Sequence, residues 1–227
     1  MQPAPPRAAP RHLAVIPDGN RRWARARGLS VAEGHTRGVE NIGLIADAAF
    51  AAGVEVFSVW WGSPANLTRR SADEVATITG VLDDWLARRA PELLRRSDAR
   101  FDVFGRWEAL CPSIAPGVAA ARASAGAGPR RFVLLMAYDG REELVAAAAS
   151  GPQTSDALAS RLWTASLPPV DLVLRTGGDP HLSAGFLLWH IADAQLAFVD
   201  EPWPAFDVAA LTRVLDRHAA TERRFGA

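Results

Sequence analysis

Lysine is absent from this chain of 227 residues, so all 25 basic side chains are arginine. They face 25 acidic residues, and the formal net charge is zero. A general electrostatic grip on nucleic acid needs a surplus of cations, so no nucleic-acid partner is expected. One cysteine, Cys111, leaves nothing for an internal disulfide or a cysteine-rich zinc module, which fits a reducing, cytoplasmic setting. No apolar run approaches the ~18 residues of a membrane span, and the Pro- and Ala-rich start lacks the apolar core of a signal peptide. No integral membrane segment is expected. Tyrosine is nearly absent as well: eight Trp and nine Phe stand against one Tyr, an inventory suited to a core or an oily pocket.

What is present reads as one domain. Nearly half the residues are apolar, enough for a substantial core. We expect residues 1–10 to be a flexible segment and residues 11–227 a single catalytic unit. Short apolar runs bounded by Gly, Pro or Asp predict strands over 12–16, 54–61, 101–104, 131–137, 171–174 and 195–199. Between them, 37–52, 71–96, 115–124, 140–150, 154–163 and 207–223 are predicted helices. Such alternation implies an α/β domain with a mostly parallel central sheet flanked by helices. Ligands of such sheets bind beyond the carboxyl ends of the strands, so chemistry is expected just after each run.

After the first strand comes Pro17-Asp18-Gly19-Asn20-Arg21-Arg22-Trp23. A strand, a glycine turn and a helix start offer N–H groups to an anion, and the Arg pair adds charge. Asp18 is the natural Mg²⁺ ligand, because Mg²⁺ on phosphates is held by one or two carboxylates. Alone, Asp-Gly-Asn is also an ordinary turn. The longer stretch from His12 through Arg25 to Gly28, continuing into Gly34-His35-Thr36-Arg37-Gly38, resembles the first signature of the cis-prenyltransferases, the undecaprenyl diphosphate synthase family. The resemblance recurs in order at Ser63 to Arg69, Tyr138 to Arg141, Pro169 to Gly178, Phe186 to Trp189, Trp203 to Phe206 and Arg223 to Gly226.

The resemblance implies the fold of that family and a Mg²⁺-dependent transfer between an allylic prenyl diphosphate and a second isoprenoid diphosphate, isopentenyl or dimethylallyl. Residue by residue, it implies that Asp18 binds Mg²⁺ and acts in catalysis with Asn66. Gly19, Asn20, Arg21, Arg22, His35 and Arg69 would hold the allylic diphosphate; Arg175 and Ser183, with His181 beside them, the second one. The tail Arg223-Arg224-Phe225-Gly226 resembles one that approaches a partner subunit's site, so a homodimer is expected.

Several positions depart from the family pattern. Pro64-Ala65-Asn66-Leu67 replaces Ser/Thr-Glu-Asn-Trp, and Ser63-x-Ala65-Asn66-x-Thr68-Arg69 resembles lavandulyl-type members that couple two dimethylallyl diphosphates irregularly. His181 stands where the family has an arginine, and a neutral imidazole is the weaker phosphate clamp. Val31 takes the place of a phosphate-binding arginine, and Gln195 that of a metal-associated glutamate. Asp193, two residues earlier, shares a face with Gln195 if both lie in one strand, so either is a candidate second ligand. Trp61 falls where long-chain members have a small residue, and with Trp23 it is the expected limit on product length. The leading expectation is a geranyl- to farnesyl-sized product of regular coupling. Irregular coupling or cyclisation is the alternative, and a non-catalytic partner subunit a third reading, against which the intact Asp18, Arg21 and Arg22 argue.

Overall fold

The structure, a computed structural model, describes residues 9–221. The predicted flexible stretch and the C-terminal Arg223 to Gly226 motif lie largely or wholly outside the described residues. β1 (His12–Ile16) leads to α1 (Asn20–Arg25) and α2 (Val31–Ala51). β2 (Val56–Gly62) leads to α3 (Pro64–Arg69), α4 (Ala72–Arg88) and α5 (Ala90–Ser97). β3 (Arg100–Phe104) is followed by α6 (Trp107–Leu110) and α7 (Ala115–Ala123), and β4 (Arg131–Met136) by α8 (Gly140–Ala148) and α9 (Ser155–Ala159). β5 (Leu172–Arg175), β6 (Gln195–Phe198) and α10 (Val208–Ala220) complete the chain.

The six strands form one sheet in the order β3-β4-β2-β1-β5-β6, every pair parallel. Alternating side chains feed two cores: Leu13, Val15, Phe57 and Leu134 pack with α2, α4 and α7, while Ala14, Ile16, Val133 and Leu135 meet Tyr138 and Phe186 on the other face. The chain leaves β1 toward β2 but leaves β5 in the opposite direction, toward β6. A crevice therefore opens between the carboxyl ends of β1 and β5, where Ile16 pairs with Arg175.

Three predicted helices differ from the structure, and of 154–163 only Ser155–Ala159 is helical. α2 starts at Val31 because Ser30 and Glu33 form a capping box: the Ser30 hydroxyl accepts from Glu33 N while Ser30 N donates to the Glu33 carboxylate. The stretch 71–96 is two helices. Pro91 sits in the first turn of α5, where its missing N–H costs nothing, but it could not sit within a continuous helix without losing a backbone bond.

His12, fully buried in β1, links the sheet to the loop before β5. One ring nitrogen meets the Pro168 carbonyl at 2.9 Å and the other meets Ser58 Oγ at 2.7 Å. Burial pushes its pKa down to about 4, against a partial rise from the Pro168 hydrogen bond. The unfolded chain takes up that proton near pH 6.5, so between pH 6.5 and 4 it binds more protons than the folded chain. The His12 contribution to stability is therefore complete above pH 6.5 and declines as pH falls toward 4, by about 3 kcal/mol. Urea unfolding across this range should show the decline, with a smaller slope in His12→Gln; an unchanged slope would contradict the assignment.

Candidate active site

The site begins where β1 ends. Asp18 N donates to Thr176 Oγ1 at 3.0 Å, while the Asp18 carbonyl accepts from Thr176 Oγ1 at 2.8 Å and from Trp203 N at 2.8 Å. The Asp18 backbone is thus fixed from two loops, which aims its carboxylate. Gly19 follows with φ 100°, left-handed backbone that glycine adopts without strain, and a Cβ there would lie 2.7 Å from Pro202 Cβ. Its N–H donates to Asp18 Oδ1 at 2.5 Å. The first hydrogen bond of α1 runs from Trp23 N to Gly19 O, leaving the N–H groups of Asn20, Arg21 and Arg22 without intrahelical acceptors. Asn20 is anchored to Pro17 O through Nδ2 at 3.1 Å, and its Oδ1 packs against Gly38 of α2, where any Cβ would collide with it.

Across the crevice, Arg175 at the end of β5 is only 5% exposed along its side chain. Its Nη2 donates to Asp18 Oδ2 at 2.9 Å and its Nη1 to Ser183 Oγ and the His181 carbonyl, both at 2.8 Å. Asp179 lies 3.6 Å from Nη2, and Arg22 reaches Asp18 Oδ2 at 3.4 Å. His181 Nδ1 binds Asp179 at 2.8 Å, and this bond, with Arg175 and Arg22 nearby, holds the Asp179 carboxyl below its ordinary range.

Asp18, Gly19, Asn20, Arg22, Arg175 and Ser183 border a cavity of about 380 Å³ that is also lined by Arg21, Arg25, His35, Trp60, Trp61, Asn66 and Arg70. Asn66 has a second duty as N3 of α3, where it and Ser63 cap each other reciprocally. His35, on α2, stands edge-on to Trp61 with ring centroids 6.2 Å apart. Burial, then Arg70 and Arg21, push its pKa down to about 4, so the imidazole is neutral at physiological pH. Among the described residues, Asn20 Oδ1, both His35 nitrogens, Trp61 Nε1 and Arg175 Nε are buried without a hydrogen-bond partner, and all four side chains line this cavity. Buried polar atoms are nearly always satisfied, so their concentration here marks a place built for a polar ligand.

Most of the predicted residues meet in this cavity; several do not. Arg69 is exposed at the end of α3, and the neighbouring Arg70 lines the cavity instead, a phase that the helix end sets. Trp23 lies outside the lining, with the Arg27 guanidinium 4.6 Å above its ring. His181 is not a lining residue either; its ring engages Asp179 and its carbonyl receives Arg175. Gln195 begins β6 and pairs with Leu172, level with Leu13 and about 10 Å of strand from the crevice end. It contacts His218 at 3.0 Å, and Asp193 lies in the turn before the strand. Neither shares an ion with Asp18 within one chain, because both sit at the amino ends of the strands. Trp60 and Arg70 line the cavity as well. Trp60 packs toward one core and Trp61 toward the other, and both reach the cavity because it straddles the strand ends, where a bulge between Trp60 and Gly62 breaks the register with β4.

Residues 16–226 match the family model described as "Putative undecaprenyl diphosphate synthase". The chain belongs to the cis-prenyltransferase family. An isoprenyl transferase of Agrobacterium fabrum is 35% identical over 96% of this chain and 92% of its own length. A bifunctional CrtB/UppS protein of Streptomyces coelicolor is 36% identical over 97% of the chain, which spans 41% of that longer protein. The fold is that of a solved lavandulyl diphosphate synthase from Lavandula x intermedia in complex with dimethylallyl diphosphate. The TM-score is 0.90 and identity 30%, covering 96% of this chain and 99% of the other. Like its family, this cis-prenyltransferase is a catalytic prenyl-diphosphate transferase.

The donor set also fits the Mg²⁺ that the family implies. Asp18 is the one carboxylate among the cavity's lining residues, and the described residues hold no cluster of three or more His, Cys, Asp or Glu able to grip a metal alone. One carboxylate with the remaining ligands from substrate phosphates and water is the usual arrangement for Mg²⁺. Among the described residues no helix is long and apolar enough to cross a membrane.

Proposed function

We propose that the protein couples two short allylic diphosphates, in the irregular manner of lavandulyl diphosphate synthase, to give a branched or cyclised C10 diphosphate. The observation that carries this reading is the close structural likeness to that synthase in complex with dimethylallyl diphosphate. The Ser63-x-Ala65-Asn66-x-Thr68-Arg69 segment and the two indoles crowding the cavity support it.

In this reading one substrate places its diphosphate against Gly19, Asn20, Arg21 and Arg22, and its C1–O bond breaks with the electron pair leaving on the diphosphate. The backbone N–H groups and guanidiniums are aimed where that charge develops. Mg²⁺, when bound, would be held by Asp18 and phosphate oxygens and would neutralise charge on the leaving group. The alkene of the second substrate supplies the electron pair of the new C–C bond, and the resulting cation loses a proton to a diphosphate oxygen. In the free protein burial, Arg70 and Arg21 hold the His35 imidazole neutral, a hydrogen-bonding group beside the diphosphate. Trp60 and Trp61 keep water from the cation.

Regular elongation with isopentenyl diphosphate to a geranyl- or farnesyl-sized product is the second reading, favoured by the relatives named isoprenyl transferase. Incubating the protein and Mg²⁺ with dimethylallyl, geranyl or farnesyl diphosphate, each with and without isopentenyl diphosphate, separates the two. Product from dimethylallyl diphosphate alone is expected; a strict requirement for isopentenyl diphosphate would favour elongation. A homodimer is part of the proposal, and β6, an open sheet edge with Leu196 half exposed, is compatible with it.

A further inference from the structure

The two walls of the cavity differ in their charge balance. On the β1/β5 wall, Arg175 and Arg22 face two carboxylates, Asp18 and Asp179, so the cations are already matched. On the opposite wall, Arg70 and Arg21 share a single carboxylate oxygen, Glu74 Oε1, at 3.6 and 3.7 Å. That oxygen is buried without a hydrogen bond, and the Arg70 side chain is only a quarter exposed. Beside them His35 is neutral with both ring nitrogens unpartnered. Two guanidiniums sharing one carboxylate and a neutral hydrogen-bonding ring thus face the cavity from this side, and Arg25 of α1 lines it as well.

Val31 opens α2 nearby and lines a small adjoining hollow together with His35 and Glu74. We propose that Arg70, steadied by Glu74 and paired with Arg21, is a diphosphate-binding residue of this chain. The inference rests on the diphosphate-binding reading of the cavity and adds the residue that grips from the α3/α4 side. Glu74 keeps the two guanidiniums together in the free protein, at distances long enough for a phosphate to draw them away. Arg70 is then a specificity-determining residue, since the geometry ties its hold to a diphosphate near His35 and Trp61.

Inorganic pyrophosphate with Mg²⁺ is the probe, and calorimetric affinity the readout. Arg70→Gln is expected to weaken binding about 10- to 100-fold, the loss usual for a hydrogen bond between charged groups. Arg70→Lys retains charge but not the planar fork, and is expected to fall between. If Arg70 only braces Glu74, Arg70→Gln will lower the melting temperature and leave pyrophosphate affinity within twofold, and the proposal is overturned. Arg22→Gln separates the levels: if it weakens pyrophosphate while Arg70→Gln does not, this inference fails and the cavity reading stands. If neither changes binding, the cavity reading fails with it.

Discussion

Asp18→Asn is expected to reduce turnover about a thousandfold or more, the scale at which removing a charge-stabilising group acts in other enzymes. The reason is local. Asp18 is the cavity's one carboxylate, its backbone is pinned by Thr176 and Trp203, and its two oxygens already have distinct directions, Oδ1 toward Gly19 N and Oδ2 toward Arg175 and Arg22. Asparagine keeps the size and the backbone contacts but removes the charge that a divalent cation requires. The Arg175 guanidinium keeps Asp179 as counter-charge, so folding should survive, and a thermal melt close to that of the unaltered protein is part of the expectation. Turnover measured against Mg²⁺ concentration checks it: a much higher requirement for Mg²⁺ together with the fall in rate is the predicted pattern. Turnover within tenfold of normal and an unchanged Mg²⁺ requirement would remove Asp18 from the account.

Replacing Trp61 by alanine is expected to change what the enzyme makes more than how fast it binds. The indole occupies the cavity wall between His35 and the strand end, and its removal leaves space in the direction of the α2/α4 core, against which Trp61 packs. A prenyl chain gains about 0.8 kcal/mol for each methylene it buries there, so longer allylic substrates should become acceptable and longer products should appear. Trp60 differs, because its Nε1 donates to the Tyr138 carbonyl at 3.2 Å, whereas Trp61 Nε1 has no partner. Trp60→Ala should therefore cost stability as well as selectivity. Mass spectrometry of products from geranyl and farnesyl diphosphate tests the pair. An unaltered chain-length distribution in Trp61→Ala would show that the indole belongs to the core and sets no limit.

The sequence was most legible where its signals are short in range. β1 falls on the predicted 12–16 because an uninterrupted apolar run ends abruptly at Pro17 and Asp18, and the loop beyond it carries its own glycine, acid and arginines. The helix preceding Arg37 was hidden by Gly34 and Thr36, residues that weaken a helical pattern, although the Ser30–Glu33 capping box announced its true start. Longer-range geometry was harder to read. The parallel to a family glutamate put Gln195 in the metal site, but alignment along a strand carries no information on which end of the sheet faces the substrate, and the register with β5 puts Gln195 at the other end. For Arg69 and Arg70, two adjacent identical side chains, only the turn that ends α3 decides which one faces inward. The charge balance around Glu74 depends on α1, α3 and α4 converging, and no local pattern encodes that.

The net charge of zero takes on a spatial meaning in the folded chain: Asp18 and Asp179 match Arg175 and Arg22, whereas Arg21 and Arg70 share Glu74 and Arg25 adds a further cation to the cavity. Central to the proposed function is the joining of two allylic diphosphates in this cavity. Deuterated dimethylallyl diphosphate, supplied as the sole prenyl substrate with Mg²⁺, tests that most directly by mass spectrometry of the dephosphorylated product. A C10 alcohol carrying label in both five-carbon halves is the expected product. No product until unlabelled isopentenyl diphosphate is added, and label then confined to one half, would contradict it.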